Sequence, residues 1–203
     1  LMQIIGLTGS IAAGKSTVTA WLRELGIPLH DADAAVHQLL AAGGAAVGPV
    51  LDLFGPVAGS LHAGIDRKRL GDLVFNAPDQ RQQLEQILHP LVRLSRDAFI
   101  DQHRAASAAL VVLDVPLLFE TGGDAICDQV IVVYAKPATI EKRALDRAGM
   151  TRQKLAAILA SQMPVDEKMA RADFCLDSDL ALETTKQNLL IYLSGLMPPK
   201  KIS

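Results

Sequence analysis

Apolar positions along the chain follow two rhythms. Continuous β-branched runs, Leu110-Val111-Val112-Leu113 and Val130-Ile131-Val132-Val133, predict strands buried on both faces of a parallel sheet. Gln3-Ile4-Ile5-Gly6-Leu7 is a similar run ended by a glycine turn; Ile27-Pro28-Leu29-His30 and Phe174-Cys175-Leu176 predict two further short strands. Elsewhere the spacing is helical. Val18, Trp21, Leu22 and Leu25 mark a helix from Lys15, with Gly26 placed to close it. Residues 138–148, 151–163 and 182–193 predict three more helices. From the acidic turn Asp31-Ala32-Asp33 to about residue 105 the pattern is helical, carried by Val36, Leu39 and Leu40 and later by Leu84, Ile87, Leu88 and Leu91. Glycine and proline turns interrupt it, and a weak strand near Val57 is the one exception.

Strands alternating with helices predict an α/β fold with a parallel sheet of five strands, elaborated by a helical insertion between the second and third. Ligands of open parallel sheets bind beyond the carboxyl ends of the strands. The residues following Leu7, His30, Leu113 and Val133 are therefore expected around the site.

Composition narrows the function. The chain has 203 residues, half of them hydrophobic, enough for a full core. A formal net charge of −2 leaves no basic surplus to hold a nucleic acid. Cys127 and Cys175 are far apart and outside metal-ligand spacing, so neither a disulfide framework nor a zinc site is expected; both read as small buried apolar residues. The apolar start reaches Gly9 and Lys15 too soon for a signal peptide, and no run has the roughly 18 apolar residues of a membrane span. A cytoplasmic protein with no membrane segment and no obligate protein partner is expected, with Leu1 reading as a leftover ahead of Met2.

The sharpest chemical signal is Gly9-Ser10-Ile11-Ala12-Ala13-Gly14-Lys15-Ser16, which follows a predicted strand and opens a predicted helix. Inward-pointing backbone N–H groups and the positive end of the helix dipole suit a polyphosphate. Lys15 is placed to bridge the β- and γ-phosphates of ATP, Ser16 to offer a hydroxyl to Mg2+, and Thr17 to touch the α-phosphate. The spacing lacks the G-x-G-x-x-G of dinucleotide loops, which disfavours a nicotinamide enzyme.

Three carboxylates and a set of cations follow. Asp33, after the second strand, is the candidate base for an attacking hydroxyl, with helix capping as the competing role. Asp114 ends a buried strand, where an acid orients magnesium through water. Glu120 closes Pro116-Leu117-Leu118-Phe119-Glu120, whose apolar members more often form core than contact ligand. Arg143 and Arg147 share one helix face and Arg152 follows Gly149; forked guanidinium donors suit a transferring phosphoryl group. Arg67, in Arg67-Lys68-Arg69, and His89 are cations available to a phosphorylated acceptor, although His89 before Pro90 is also a place for one helix to end and another to begin.

Read together, Gly6-Leu7-Thr8-Gly9 through Thr17, Asp31-Ala32-Asp33, Asp66-Arg67, Val74-Phe75, Leu84-Glu85, His89-Pro90 and Asp114 through Glu120 resemble the dephospho-CoA kinase family. Gln162-Met163, Glu167-Lys168 and Ala172-Asp173 continue the resemblance, so that it runs from about Gln3 to Leu193. The resemblance implies ATP- and magnesium-dependent phosphorylation of the ribose 3′-hydroxyl of dephospho-CoA, the last step of coenzyme A synthesis. It implies a three-layer P-loop core (residues 1–35, 106–138 and 172–203), a helical acceptor-binding region (36–105) and a lid (139–171). Asp33 then takes the role of base, with Lys15 and Arg143 also catalytic; Gly9, Ala12, Ala13, Gly14, Lys15, Ser16, Thr17 and Arg147 hold ATP; Arg67, His89, Leu117 and Leu118 join Asp33 around the acceptor.

Two departures stand out. Ser10-Ile11-Ala12-Ala13 has fewer glycines than is usual in such loops, and Leu176-Asp177-Ser178-Asp179 stands where the family often has an asparagine, leaving the holder of adenine open. Two other functions stay in view: a kinase for a different acceptor, which needs a different acceptor region, and a nucleotide-gated binding module.

Overall fold

The computed structural model describes residues 2–75 and 77–196, so Leu1, Asn76 and the segment 197–203 fall outside the described residues. In chain order the elements are β1 (Gln3–Gly9), α1 (Lys15–Glu24), β2 (Leu29–Asp31), α2 (Ala32–Leu40), α3 (Val47–Phe54), β3 (Gly59–Ser60), β4 (Gly64–Ile65), α4 (Arg67–Phe75) and α5 (Pro78–Ala105). They continue with β5 (Leu110–Asp114), β6 (Gln129–Tyr134), α6 (Pro137–Leu145), α7 (Arg152–Ser161), α8 (Val165–Arg171), β7 (Phe174–Asp177) and α9 (Leu182–Leu196). Two compact units result: Leu1–His30 with His103–Ser203, and Asp31–Gln102.

The first unit is built on a five-stranded parallel sheet of order β2-β5-β1-β6-β7. β1 lies at its centre, in register with β5 on one side (Gly6 opposite Leu113) and β6 on the other (Gly9 opposite Val133). Burial on both faces explains the unbroken apolar runs. Ile5, Leu7, Val112, Ile131 and Val133 point to one face and pack with Val18, Trp21 and Leu22 of α1 and Leu189 and Leu193 of α9. Val130 and Val132 point to the other, against Leu118, Phe119 and Met169 of α8. Segment 139–171 belongs to this unit. Cys127 and Cys175 are half-buried rather than fully buried.

In the second unit, α2, α3, α4 and the first part of α5 enclose Leu40, Val47, Val50, Ile65, Leu70 and Leu84. Two expectations are corrected here. The weak strand near Val57 is a 3-10 turn, Pro56–Ala58, and the strands are the short antiparallel pair β3 and β4 beside it. α5 runs without a break from Pro78 through His89 and Pro90 to Ala105, so His89 ends no helix. The residue before a proline is disfavoured in the helical region, not barred from it.

Candidate active site

β1 delivers the chain into the phosphate loop at a point where only glycine fits: a Cβ on Gly9 would lie 2.5 Å from the Val133 carbonyl oxygen. Gly14, at φ 94°, occupies the left-handed region that glycine reaches without strain and sits at the N-cap of α1. No side chain caps this helix, so its first N–H groups remain available to an anion. Ala12 also lies in the left-handed region, at φ 58°, and together with Ala13 it is buried. Small side chains keep the loop close to its neighbours.

Lys15, the first residue of α1, forms an ion pair with Asp114 at the end of β5. The second oxygen of Asp114 accepts a 3.0 Å hydrogen bond from Thr19, whose hydroxyl also donates to the Lys15 carbonyl oxygen. Asp114 and Thr19 are buried, 4% and 3% exposed, and the half-buried Lys15 joins them in one polar set. Thr19 was not singled out in the sequence, although it stands one turn after Lys15 on the same helix face.

A cavity of about 250 Å³ opens beside the loop, lined by Ala12, Gly14, Ser16, Thr17, Trp21, Arg143, Arg147, Leu182 and Thr185. The structure thus brings together the loop and two of the three arginines picked out by spacing. Arg143 is held tightly. One guanidinium nitrogen donates to the Ser178 hydroxyl at 2.9 Å, a second donates to the Ser178 carbonyl at 2.8 Å, and the Ser178 hydroxyl donates to the Ala13 carbonyl at 2.6 Å. Asp179 accepts from the Lys136 N–H at 2.6 Å at the start of α6; hydrogen bonds from Thr139 and that N–H hold its carboxyl below the usual range. The Ser178-Asp179 departure noted in the sequence is therefore a clasp joining β7, the phosphate loop and the arginine helix. Arg152 lies elsewhere. It pairs with Glu141 at 2.7 Å on the rim of a separate, largely apolar cavity of about 500 Å³ lined by Ser10, Ile140, Leu155 and Met163.

Leu117 and Leu118 part company. Leu118 is fully buried, close enough that a Cβ on Gly6 would meet it at 2.6 Å, whereas Leu117 is 39% exposed. Of this pair, Leu117 is the one with surface to offer an acceptor; Leu118 is core.

In the second unit, Asp31 is the N-cap of α2, its side chain accepting from the Ala34 N–H at 2.9 Å. Asp33 is exposed in the first turn and is not the cap, so capping does not account for it. Arg67 opens α4 and meets His37 of α2, its guanidinium 3.0 Å from Nδ1. His37 follows Asp33 by four positions on the same helix face. His89 is exposed on α5.

A strand-to-helix phosphate loop with its lysine paired to a strand-end aspartate, at the carboxyl edge of a central parallel strand, defines a P-loop phosphotransferase. The family model described as dephospho-CoA kinase matches residues 3–183. The dephospho-CoA kinase of Rhizobium meliloti is 45% identical over 188 residues, covering 93% of this chain and 95% of that one. A solved protein of Thermus thermophilus superposes with a TM-score of 0.80 at 33% identity, covering 97% of this chain and 99% of its own. Dephospho-CoA kinase from Campylobacter jejuni superposes with a TM-score of 0.75 at 27% identity, covering 97% and 98%. The chain belongs to the dephospho-CoA kinase family. It is an ATP-using kinase. Among the described residues, no helix is long and apolar enough to cross a membrane.

Proposed function

We propose that the residues described above carry out the family's reaction, the ATP-dependent phosphorylation of the ribose 3′-hydroxyl of dephospho-CoA to coenzyme A and ADP. The observation that carries this reading is the phosphate loop with Lys15 on Asp114, facing a cavity that also holds Arg143 and Arg147. Backbone N–H groups of Ala12 to Thr17 receive the phosphates. Lys15 leaves Asp114 for the β- and γ-phosphate oxygens, and Arg143 and Arg147 neutralise charge on the transferring group. Trp21, Leu182 and Thr185, on the apolar side of the cavity, border the adenine.

The acceptor hydroxyl loses its proton to the Asp33 carboxylate as its oxygen bonds to the γ-phosphorus, and the bond to the departing ADP breaks. Arg67 and His89 take the acceptor's anionic groups and Leu117 its apolar arm. Ser16 and Asp114 are hard oxygen donors that suit Mg2+, and among the described residues no three acidic, histidine or cysteine side chains cluster as a metal cage. That fits an ion held largely by phosphates and water; when bound, it supplies charge compensation for the polyphosphate. Segment 139–171, carrying both arginines, acts as the lid. The working compartment is the cytoplasm, and the partner is a small molecule, with neither nucleic acid nor an obligate protein partner involved.

The test is ADP release with and without dephospho-CoA, with coenzyme A identified by mass. Asp33→Asn is expected to lower kcat by roughly 10²–10⁴ while ATP affinity stays within a few-fold. Full turnover in that variant would remove Asp33 from the chemistry.

A further inference from the structure

Among the described residues, Lys168 on α8 is the largest side chain with essentially no exposed surface, and nothing in the reaction above uses it. Burying an ammonium costs several kcal/mol, and one carboxylate partner seldom does better than an apolar residue of the same volume. Stability alone therefore does not account for a lysine here. What it holds does.

Its Nζ lies 2.9 Å from Glu120 Oε1 and 3.4 Å from the Pro116 carbonyl oxygen. That same Glu120 oxygen accepts from the Met163 N–H at 2.8 Å. Met163 follows Gln162, whose side-chain carbonyl accepts from the Ile11 N–H at 3.2 Å, inside the phosphate loop. The Pro116 carbonyl also accepts from the hydroxyl of Thr8, the residue preceding Gly9, at 3.0 Å. Two threads thus run from Lys168 to the loop: through Pro116 to Thr8 at its entry, and through Glu120, Met163 and Gln162 to Ile11 within it. We propose that Lys168 and Glu120 are positioning residues for ATP binding, which fix the entry half of the phosphate loop through Thr8 and Gln162 so that its N–H groups are arranged before nucleotide arrives. The proposal rests on Gly9 to Thr17 being the ATP loop.

Preorganisation of this kind moves ATP affinity and leaves a double-mutant signature. Glu120→Met and Gln162→Met, singly and together, are compared for ATP affinity by calorimetry, alongside thermal midpoints. Each single variant is expected to weaken ATP about tenfold, and the pair about tenfold rather than about a hundredfold, because both cut one thread. Asp128→Ala, which removes the 2.7 Å hydrogen bond that Asp128 accepts from the Ile4 N–H at the far end of β1, should lower the midpoint and leave ATP affinity unchanged. A folded Glu120→Met enzyme with ATP affinity within twofold of the parent, or losses that multiply, overturns the proposal. Should Glu120→Met fail to fold, Glu120→Leu combined with Lys168→Met removes both charges together and enters the cycle under the same two criteria. Absence of ATP binding in the parent protein would instead sink the loop assignment.

Discussion

Ala12 sits at φ 58° in the phosphate loop, where a Cβ crowds the following carbonyl at a cost of about 1–2 kcal/mol. Glycine would relieve the crowding but enlarge the unfolded ensemble, at a cost of about 0.5–1 kcal/mol. Ala12→Gly is accordingly expected to stabilise the protein by up to about 1 kcal/mol, read from denaturant midpoints. A loss of stability would show that contacts in the loop depend on that methyl group. The glycine-poor Ser10-Ile11-Ala12-Ala13 is therefore a stiffer loop than its pattern requires. At this scale the sequence was most readable where a residue's role is local: Gly9, Gly14, Lys15 and Ser16 are set by the turn itself. Ser178 and Thr19 act through partners far away in sequence or one turn along, and residue type alone says nothing about them. Leu118 is buried, which residue type does not reveal, because an apolar strand-end residue looks the same whether it faces a ligand or the core.

Among the elements, α8 and the segment after β5 are joined by the Lys168–Glu120 pair, and this junction titrates. Partial burial raises the Glu120 carboxyl's affinity for a proton, but hydrogen bonds from Lys168 and from the Met163 N–H outweigh it and hold the group below its usual value near 4.5. A carboxyl depressed in the folded state contributes stability above its unfolded pKa and loses it as pH falls through the folded one. The thermal midpoint should therefore drop as pH falls below about 4.5, and less steeply in Glu120→Gln, whose amide does not titrate. Equal slopes would mean that the pair contributes no acid-sensitive stability. Long periodic elements were legible: β1, β5, β6, α1 and α9 lie where the apolar rhythm put them. Short or exceptional ones were not. β3 and β4 have two residues each, too few for alternation to register. α5 keeps its course through Pro90 because a 28-residue helix has many other hydrogen bonds to hold it.

The whole molecule comprises two compact units, and the proposed reaction divides its ligands between them. ATP contacts are assigned to the first unit, acceptor contacts chiefly to Asp33, Arg67 and His89 in the second. Mass action then stabilises whichever unit a ligand occupies, by about 2.7 kcal/mol at one hundred times its dissociation constant. Hydrogen exchange read by mass spectrometry should show ATP slowing exchange in residues 2–30 and 103–196, and dephospho-CoA slowing it in residues 31–102. Protection of both units by ATP alone would show that they open as one. The alternation of strand and helix made the α/β architecture plain from sequence, whereas the arrangement of the site depended on contacts such as Arg143 with Ser178, separated by 35 positions.

The ion pair between Lys15 and Asp114 also bears on how fast nucleotide arrives. While that pair is intact the lysine's charge is cancelled at close range, so the loop presents little field to bulk solvent. Electrostatic steering of a polyanion then falls to Arg143 and Arg147, and added salt should slow ATP association through them. Stopped-flow traces at rising ionic strength should flatten when both arginines become glutamine and keep their slope when Lys15→Met is combined with Asp114→Asn, which removes the pair without uncovering a charge and whose damage should appear in the rate of departure. On the proposed reading the lysine governs dwell time, and the arginines capture.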